Sequence, residues 1–347
     1  MKFEDCKPLV ELTRGPVVES IHIGAVAIVD PHGNLVARVG NPQMVANLRS
    51  SSKPFQTLPL VESGGAEMLG LTDREISLTC ASHSGTDDHV FVLRGMHAKI
   101  GVTEADLLCG IHPISHKPTL EAMRARGEEV TPARHNCSGK HTGMLAQARS
   151  RGLPIADYIN PTHPIQQTII RTFAEMCDLA VEDVQIGIDG CSAPTFAVPL
   201  ANAALAFARL ADPSGLPEPR RSALRRIWRA MTTHPDMVAG PGEFDTVLME
   251  VAAGVIACKG GAEGYRGFAI APASDGSRPA LGITYKVADG DLNGRARPLI
   301  AVEILRQLGI LSPAQMENLK PYDTSPVQNW RKIEVGVMRP AFRLERS

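Results

Sequence analysis

The stretch Ile23–Val29 reads IGAVAIV, a short apolar run rich in β-branched residues. Turn residues follow at Asp30–Gly33 (DPHG), and Leu35–Val39 (LVARV) then resumes a strand pattern. Two such runs around a turn predict a β-hairpin near the N-terminus. Similar runs return late in the chain, at Gly267–Ala271 (GFAIA), Leu281–Val287 (LGITYKV) and Ile333–Met338 (IEVGVM). Strands at both ends predict one sheet built from both termini.

The middle of the chain is predicted to be mostly helical. Apolar residues recur near helical spacing in Asp87–Ile100, Gly139–Ser150, Pro164–Met176, Pro199–Leu210 and Arg220–Met231. The patterns together predict an α+β fold, an α/β sandwich whose mixed or antiparallel sheet is covered by helices. We expect a single catalytic unit over residues 1–347, with sheet from about 8–80 and 265–340, including a strand at Ile76–Thr79, and a helical region at about 86–250.

Composition and charge exclude several classes of protein. The 347 residues include 36 Lys+Arg, 37 Asp+Glu and only 4% aromatics, so nothing favours nucleic acid or an anionic lipid surface. No run approaches the roughly 20 apolar residues that span a bilayer, and the N-terminus is charged where a signal peptide is apolar. Seven irregularly spaced cysteines argue against a disulfide framework. We expect a cytoplasmic protein with no nucleic-acid or membrane partner.

Lys53, Lys140 and Lys259 stand out because each lies in a Ser-, Gly- or Cys-rich stretch. The chain has only ten lysines against 26 arginines, and a buried lysine can exchange a proton near neutral pH whereas arginine cannot. Lys53 follows Ser50 by three residues in RSSSKP, Arg49–Pro54, where the proline indicates a helix start. Because serine needs a neighbouring base to become a nucleophile, Ser50 and Lys53 are a candidate nucleophile–base pair.

Four further stretches are candidates for the same site. They are CASHSG (Cys80–Gly85), HNCSGKHTG (His135–Gly143), DGCSAP (Asp189–Pro194) and KGGAEG (Lys259–Gly264). Each combines small residues, which let backbone approach closely, with side chains that can bind a proton, a metal or a substrate. Taken singly, each is also compatible with ordinary turn and capping chemistry, and RSSSKP with a serine cap beside a solvated lysine.

In this order the five stretches resemble the rhizobial-type L-asparaginases, the asparaginase II family, over about residues 10–340. The resemblance implies a serine β-lactamase- and glutaminase-like fold and a homodimer. It implies that Ser50 is the nucleophile with Lys53 as its partner, and that Ser82 pairs with Lys259. It also implies two further groups: substrate-binding residues Arg49, Asp189, His141, His83 and Glu263, and a zinc site of Cys137, Lys140 and Cys191 that does not perform the chemistry.

We therefore expect an L-asparaginase that hydrolyses L-asparagine to L-aspartate and ammonia through an acyl-enzyme. The open alternatives are a glutaminase or other small-amide hydrolase of the same fold, and a non-catalytic amino-acid- or zinc-binding protein. For the metal site, the alternative is that Cys137 and Cys191 are plain thiols and that any zinc is adventitious. A β-lactamase is disfavoured because the Lys-Thr-Gly motif is absent. Tyr265 departs from the family pattern, which has a small aliphatic residue there, so packing behind Lys259 is expected to differ.

Overall fold

The computed structural model describes residues 2–347 and contains a nine-stranded and a three-stranded sheet. The strands are β1 Lys7–Arg14, β2 Val17–Val29, β3 Leu35–Val39, β4 Val45–Asn47, β5 Gln185–Ile188, β6 Pro194–Pro199, β7 Ile256–Gly260, β8 Tyr265–Ile270, β9 Leu281–Val287, β10 Ser325–Gln328, β11 Glu334–Pro340 and β12 Glu345–Arg346. The large sheet has the order β10-β11-β1-β2-β9-β8-β7, with β3 on β2 and β12 on β3, and its strand pairs are antiparallel. It joins strands from both termini, so the predicted α+β class is confirmed.

Helices occupy most of the chain between the two sets of strands. They are α1 Lys53–Glu62, α2 Gly65–Met68, α3 Asp73–Thr79, α4 Asp87–Ile100, α5 Lys117–Arg126, α6 Ser138–Ser150, α7 Pro164–Met176, α8 Leu200–Ala211, α9 Arg220–Thr233, α10 Pro235–Val238, α11 Phe244–Ala252, α12 Ala296–Leu308 and α13 Pro313–Asn318. No helix in residues 2–347 combines the length and apolar character that a bilayer crossing needs.

The stretch IGAVAIV forms the second half of β2, in the interior of the large sheet. Val26 pairs with Val39 of β3 and also with Tyr285 of β9, which confirms the predicted hairpin and adds a partner from the other end of the chain. Residues Ala25–Val29 are buried because β2 has neighbours on both edges and packed side chains on its faces. An apolar run without polar alternation is what such a strand requires.

Helix α8 packs directly on the large sheet because glycines on two strands remove the side chains that would hold it away. A Cβ at Gly282 would lie 1.7 Å from the Ala204 carbonyl oxygen, and one at Gly267 would lie 2.1 Å from the Phe207 ring. Such distances are far below van der Waals contact. Part of the apolar core therefore lies between the sheet and this alanine-rich helix, and the core continues into the other helices.

One predicted strand is wrong. Residues Ile76–Thr79 belong to α3, and the N-terminal part of the large sheet ends with β3 rather than near residue 80. A capping box begins this helix: the Glu75 amide donates to Thr72 Oγ1 at 3.3 Å, and the Thr72 amide donates to Glu75 Oε2 at 2.7 Å. Because reciprocal capping satisfies the first free amides of a helix, it outweighs the β-like composition of Ile76–Thr79.

The small sheet, of order β4-β6-β5, brings two candidate stretches together. Strand β4 leads directly into RSSSKP, while DGCSAP connects β5 to β6. The Leu48 amide donates to the Phe196 carbonyl at 2.9 Å, which continues the pairing up to the start of RSSSKP. Segments more than 130 residues apart in sequence thereby lie side by side.

Candidate active site

One cavity of about 380 Å³ brings together Ser50, Ser82 and Lys259. Ser50 lies in a 3-10 turn, Arg49–Ser52, immediately before α1, whereas Ser82 follows α3 and Lys259 is near the end of β7. Both serines are half-buried, and Lys259 is 1% exposed. Three of the four predicted catalytic residues thus face one space, whose size is typical of a small-molecule site.

Lys53, the fourth predicted catalytic residue, has no exposed surface. Its Nζ donates to Ser82 Oγ at 2.9 Å and to the Ala81 carbonyl at 2.5 Å, with the Asn136 carbonyl at 3.5 Å. The Lys53 amide donates to the Ser50 carbonyl, but within residues 2–347 no hydrogen bond joins Lys53 Nζ to the Ser50 hydroxyl. The serine hydroxyl bonded to the Lys53 amine is therefore Ser82 and not the one inferred from the sequence spacing. A buried amine needs acceptors, and these carbonyls lie beside Ser82.

Lys259 is a buried amine in the wall of the cavity. Its Nζ donates to the Gly260 carbonyl at 2.7 Å, and Asp245 Oδ2 is 3.9 Å away. Burial lowers the pKa of Lys259 to about 8, although Asp245 opposes part of this effect. An amine with such a pKa can take up or release a proton under ordinary conditions, as general acid–base catalysis requires.

Asp245 and Arg266 are cavity-lining residues that the sequence analysis missed. Arg266 Nη1 lies 2.7 Å from Asp245 Oδ1, an ion pair without an aligned hydrogen bond, and the guanidinium is 4.3 Å from the centre of the Phe244 ring. Burial alone would raise the pKa of Asp245, but Arg266 and Lys259 outweigh it, so the pKa is lower than usual. The glycines beside Pro241, in Gly240–Asp245 (GPGEFD), were an available signal of a site loop.

Arg49 and Asp189, two predicted substrate-binding residues, form an ion pair. Arg49 Nε and Nη2 each lie 2.8 Å from Asp189 Oδ1. Arg49 has a φ of +51°, in the left-handed region that residues with a Cβ seldom adopt. Such conformations persist where surrounding contacts impose them, and they are frequent at functional sites. The ion pair therefore fixes the residue that immediately precedes Ser50.

Glu263 lies beside this ion pair rather than in the main cavity. It lines a neighbouring cavity of about 230 Å³ together with Arg49 and Lys286. The Glu263 carbonyl accepts a hydrogen bond from Lys286 Nζ, and its backbone has a φ of +57°. The prediction that Glu263 contacts the substrate stays a prediction, and the structure places the residue near Arg49.

The two predicted substrate-binding histidines lie outside the walls of the main cavity. His83 Nε2 bonds Ser138 Oγ at 2.8 Å and its Nδ1 accepts the Gly85 amide at 3.2 Å, so both ring nitrogens already have partners. His141 Nδ1 bonds Tyr158 Oη at 2.6 Å, while its buried Nε2 has no partner within residues 2–347. Burial lowers the pKa of each histidine. The prediction that these two histidines contact the substrate stays a prediction.

Cys137, Lys140 and Cys191 converge in a second buried cluster. Lys140 Nζ donates to Cys191 Sγ at 2.9 Å, and none of the three residues is more than 4% exposed. The two thiols are free and influence each other: Cys191 lowers the pKa of Cys137, and Cys137 raises the pKa of Cys191. Burial opposes the charge on Lys140, but the two sulfurs outweigh it and raise its pKa. In the part of the chain that is described, no three His, Cys, Asp or Glu side chains form a metal-binding group.

A larger groove of about 890 Å³ lies between α3, α4 and the segment around α5. It is lined mainly by apolar side chains and arginine–carboxylate pairs, such as Arg134 with Asp87 at 2.6 Å. None of the predicted catalytic residues lines it. The smaller cavity, where the serines and lysines meet, is therefore the candidate active site.

A family model described as L-asparaginase II matches residues 10–340. The chain belongs to the L-asparaginase II family, as the five stretches in the sequence imply. Membership supports a hydrolase that acts on amides and takes a small-molecule amide substrate. A search of curated proteins gives no match.

Solved structures similar to the chain share little sequence with it. A β-lactamase from Mycobacterium bovis is 14% identical, with 82% of this chain and 94% of that chain covered and a TM-score of 0.43. A probable glutaminase from Bacillus subtilis, complexed with 6-diazo-5-oxo-L-norleucine, is 11% identical, with 83% and 84% covered and a TM-score of 0.40. A Bacillus glutaminase in 4.3 M NaCl is 12% identical, with 83% and 91% covered and a TM-score of 0.40. Similarities this weak carry no conclusion about activity.

Proposed function

We propose that the protein is an L-asparagine amidohydrolase that works through a serine ester. The observation that carries this proposal is the single cavity lined by Ser50, Ser82 and Lys259, with Lys53 hydrogen-bonded to Ser82 behind it. Two hydroxyls and two buried amines supply a nucleophile and two proton-transfer routes, which are what amide hydrolysis requires.

Ser50 is the proposed nucleophile. It lies in the first turn of a helical segment, where backbone amides have no acceptor within the helix. The Ser50 amide is therefore suited to stabilise the oxyanion that forms as Ser50 Oγ attacks the side-chain amide carbon. The hydroxyl proton passes to neutral Lys259, whose pKa of about 8 suits a general base.

The Lys53–Ser82 pair is proposed to protonate the leaving nitrogen. Because Lys53 donates to Ser82 Oγ, the Ser82 proton is free to point into the cavity. Ser82 gives this proton to the nitrogen as the C–N bond breaks and ammonia leaves, and Lys53 resupplies it. In the second half, water adds to the ester and its proton returns through Ser82 to Lys53, while Lys259 reprotonates Ser50 as the ester bond breaks.

Arg49 and Asp189 are proposed to hold the two charged ends of the amino acid. An α-carboxylate is complementary to the Arg49 guanidinium and an α-ammonium to the Asp189 carboxylate. The existing ion pair between them presents both charges beside Ser50. A site with both charges favours the amide of an amino acid over an uncharged amide as the substrate.

Zinc is proposed to bind Cys137, Lys140 and Cys191. The donors fit because two sulfurs and one amine converge in a buried site, and sulfur ligands suit zinc. The metal would supply a fixed positive charge that orders the loop carrying Asp189. Zinc content measured after purification without added metal, with Cys191→Ser as the comparison, tests this: equal content in both proteins means adventitious zinc.

We further propose a cytoplasmic homodimer. Seven free cysteines suit a reducing compartment, and exposed apolar side chains such as Trp330 and Ile333 are available to a partner surface. Sedimentation of the purified protein at several concentrations tests the oligomeric state, and a persistent monomer contradicts it.

Ammonia release from L-asparagine, compared with L-glutamine and with hydrolysis of a β-lactam, tests the activity. We expect L-asparagine to be preferred, by an amount in the range of ~1–3 kcal/mol that one methylene separates. Ser50→Ala is expected to lower kcat by ~10³-fold or more, whereas Ser63→Ala, at a serine outside the cavity, is the matched control. Asparagine binding without turnover would instead indicate a sensor, and a preference for L-glutamine a glutaminase.

A further inference from the structure

Asp245, in the first turn of α11, connects Lys259 to Arg266 across the cavity wall. Its Oδ2 accepts the Gly260 amide at 2.6 Å and lies 3.9 Å from Lys259 Nζ, while its Oδ1 lies 2.7 Å from Arg266 Nη1. Asp245, Lys259 and Arg266 are at most 6% exposed. Each carboxylate oxygen therefore has a different cationic neighbour, on a different strand.

The Gly260 peptide fixes this geometry from both of its sides. Its amide donates to Asp245, and its carbonyl accepts from Lys259 Nζ at 2.7 Å. A Cβ on Gly260 would lie 3.2 Å from Asp245 Oδ2 and 3.3 Å from Arg266 Nη2, which is tighter than ordinary contact. The residue after Lys259 thus has no side chain where the carboxylate must approach.

The groups that face Lys259 come from four elements. Asp245 on α11 is negative and favours the charged amine, whereas Lys53 on α1 and Arg266 on β8 disfavour it. Cys137, immediately before α6, adds a smaller favourable effect. Glu243 at the cavity wall is itself influenced by Asp245 and Lys259, and burial raises its pKa. Among the described residues, no carboxylate other than Asp245 lies within 4.0 Å of Lys259 Nζ.

We propose that Asp245 is the positioning residue of Lys259, and that Arg266 holds the Asp245 carboxylate in the orientation this requires. The proposal rests on the proposed function only in treating Lys259 as a proton-transfer group. A buried ion pair stabilises a fold poorly, because desolvation offsets its attraction. Its presence in the cavity wall is therefore explained better by control of a neighbouring amine than by stability.

The test is the protonation midpoint of Lys259 in Asp245→Asn, followed by NMR of ¹³Cε-labelled lysine and assigned with Lys259→Met. Removal of one negative charge about 4 Å away is expected to lower the midpoint by about 1 pH unit. The midpoint of the pH–kcat profile is expected to move in the same direction. Asp291→Asn is the control, since Asp291 is a buried aspartate that pairs with Arg297 at 3.2 Å. It is expected to lose stability and leave the Lys259 midpoint in place.

Two further variants keep the test decisive if Asp245→Asn does not fold. Asp245→Asn with Arg266→Gln removes both charges, and its midpoint is expected to fall by less, because Arg266 opposes the charged amine. Arg266→Lys keeps both Asp245 and the positive charge beside it, and is expected to retain most of the wild-type midpoint. An unchanged midpoint in folded variants that lack Asp245, or an equal shift in Asp291→Asn, overturns the proposal. A shifted midpoint in a protein that lacks amidase activity supports the positioning role and contradicts the proposed function instead.

Discussion

Lys140 and Lys259 are the same residue type at nearly the same depth, yet their protonation is driven in opposite directions. They are 3% and 1% exposed. The pKa of Lys140 is raised, because the sulfurs of Cys191 and Cys137 outweigh burial, whereas the pKa of Lys259 falls to about 8, because Asp245 only partly offsets burial. Burial thus does not determine the role of a lysine, and the charges around it do.

The difference separates two kinds of site within one molecule. Lys259 lines the cavity, beside two hydroxyls, where an amine that gains and loses a proton is useful. Lys140 is bonded to a thiol in a closed cluster that does not line that cavity. We therefore expect Lys259 to transfer protons and Lys140 to support the loop that carries Asp189.

Replacing each lysine by methionine should give the largest difference between the two sites. Lys259→Met is expected to lower kcat by ~10²–10⁴-fold, the usual contribution of general acid–base catalysis. Lys140→Met is expected to lower kcat by about 10-fold or less, since the residue acts by positioning. Lys99→Met is the control in steady-state assays. Lys99 does not line the cavity, and its Nζ lies 2.6 Å from Glu75 Oε2. Equal losses of kcat in Lys259→Met and Lys140→Met would contradict the distinction between the two lysines.

The pH dependence of activity should follow Lys259. Because its pKa is lowered to about 8, the neutral base is scarce below that pH, so kcat is expected to rise about tenfold per pH unit until the amine is deprotonated. Arginine keeps its proton throughout, so Lys259→Arg should lose this rise along with most of the activity. A rise that persists in Lys259→Arg would assign the titration to another group.

Much of the fold was predictable because its signals are local. Pro164–Met176 and Leu281–Val287 have the predicted bounds, since a proline at a helix start and a short segment rich in β-branched and aromatic residues are short-range features. Ile76–Thr79 was assigned wrongly although its capping box, Thr72 with Glu75, was visible in the sequence. The alternating pattern of these four residues, ISLT, favours a strand, but the helix signal that precedes them prevails in the fold.

The site was predictable as a set of motifs but not as a set of contacts. Ser50, Ser82 and Lys259 came from separate stretches that the fold brings to one cavity. The partner of Lys53 depends on where the end of α3 lies, which no spacing within RSSSKP encodes. Asp245 and Arg266 escaped notice for the same reason, because their pairing joins α11 to β8.

Cys191→Ser should weaken the contacts that hold the loop carrying Asp189, which connects β5 to β6. Cys191 follows Asp189 in a tight turn, in which the Asp189 amide donates to the Ala193 carbonyl at 2.9 Å. Because the proposed zinc would lose a ligand, we expect KM for L-asparagine to rise by ~10–100-fold, the range typical of changes around a metal site, with a smaller change in kcat. Cys177→Ser, at a buried thiol outside both sites, is the matched control. A loss confined to kcat would place the cluster in the chemistry.

The smallest expected effect concerns the packing beside Lys140. Tyr158 Oη accepts the Leu108 amide at 3.0 Å and bonds His141 Nδ1 at 2.6 Å, and the tyrosine is fully buried. Tyr158→Phe leaves both groups without a partner, so the free energy of unfolding in urea should fall by about 1–3 kcal/mol. Tyr322→Phe removes a longer, exposed bond to the Gly242 carbonyl, at 3.4 Å, and should change it by about 0.5 kcal/mol or less. If the two variants lose the same stability, the hydrogen bond from Tyr158 does not hold His141. Other contacts must then fix the orientation of the His141 ring.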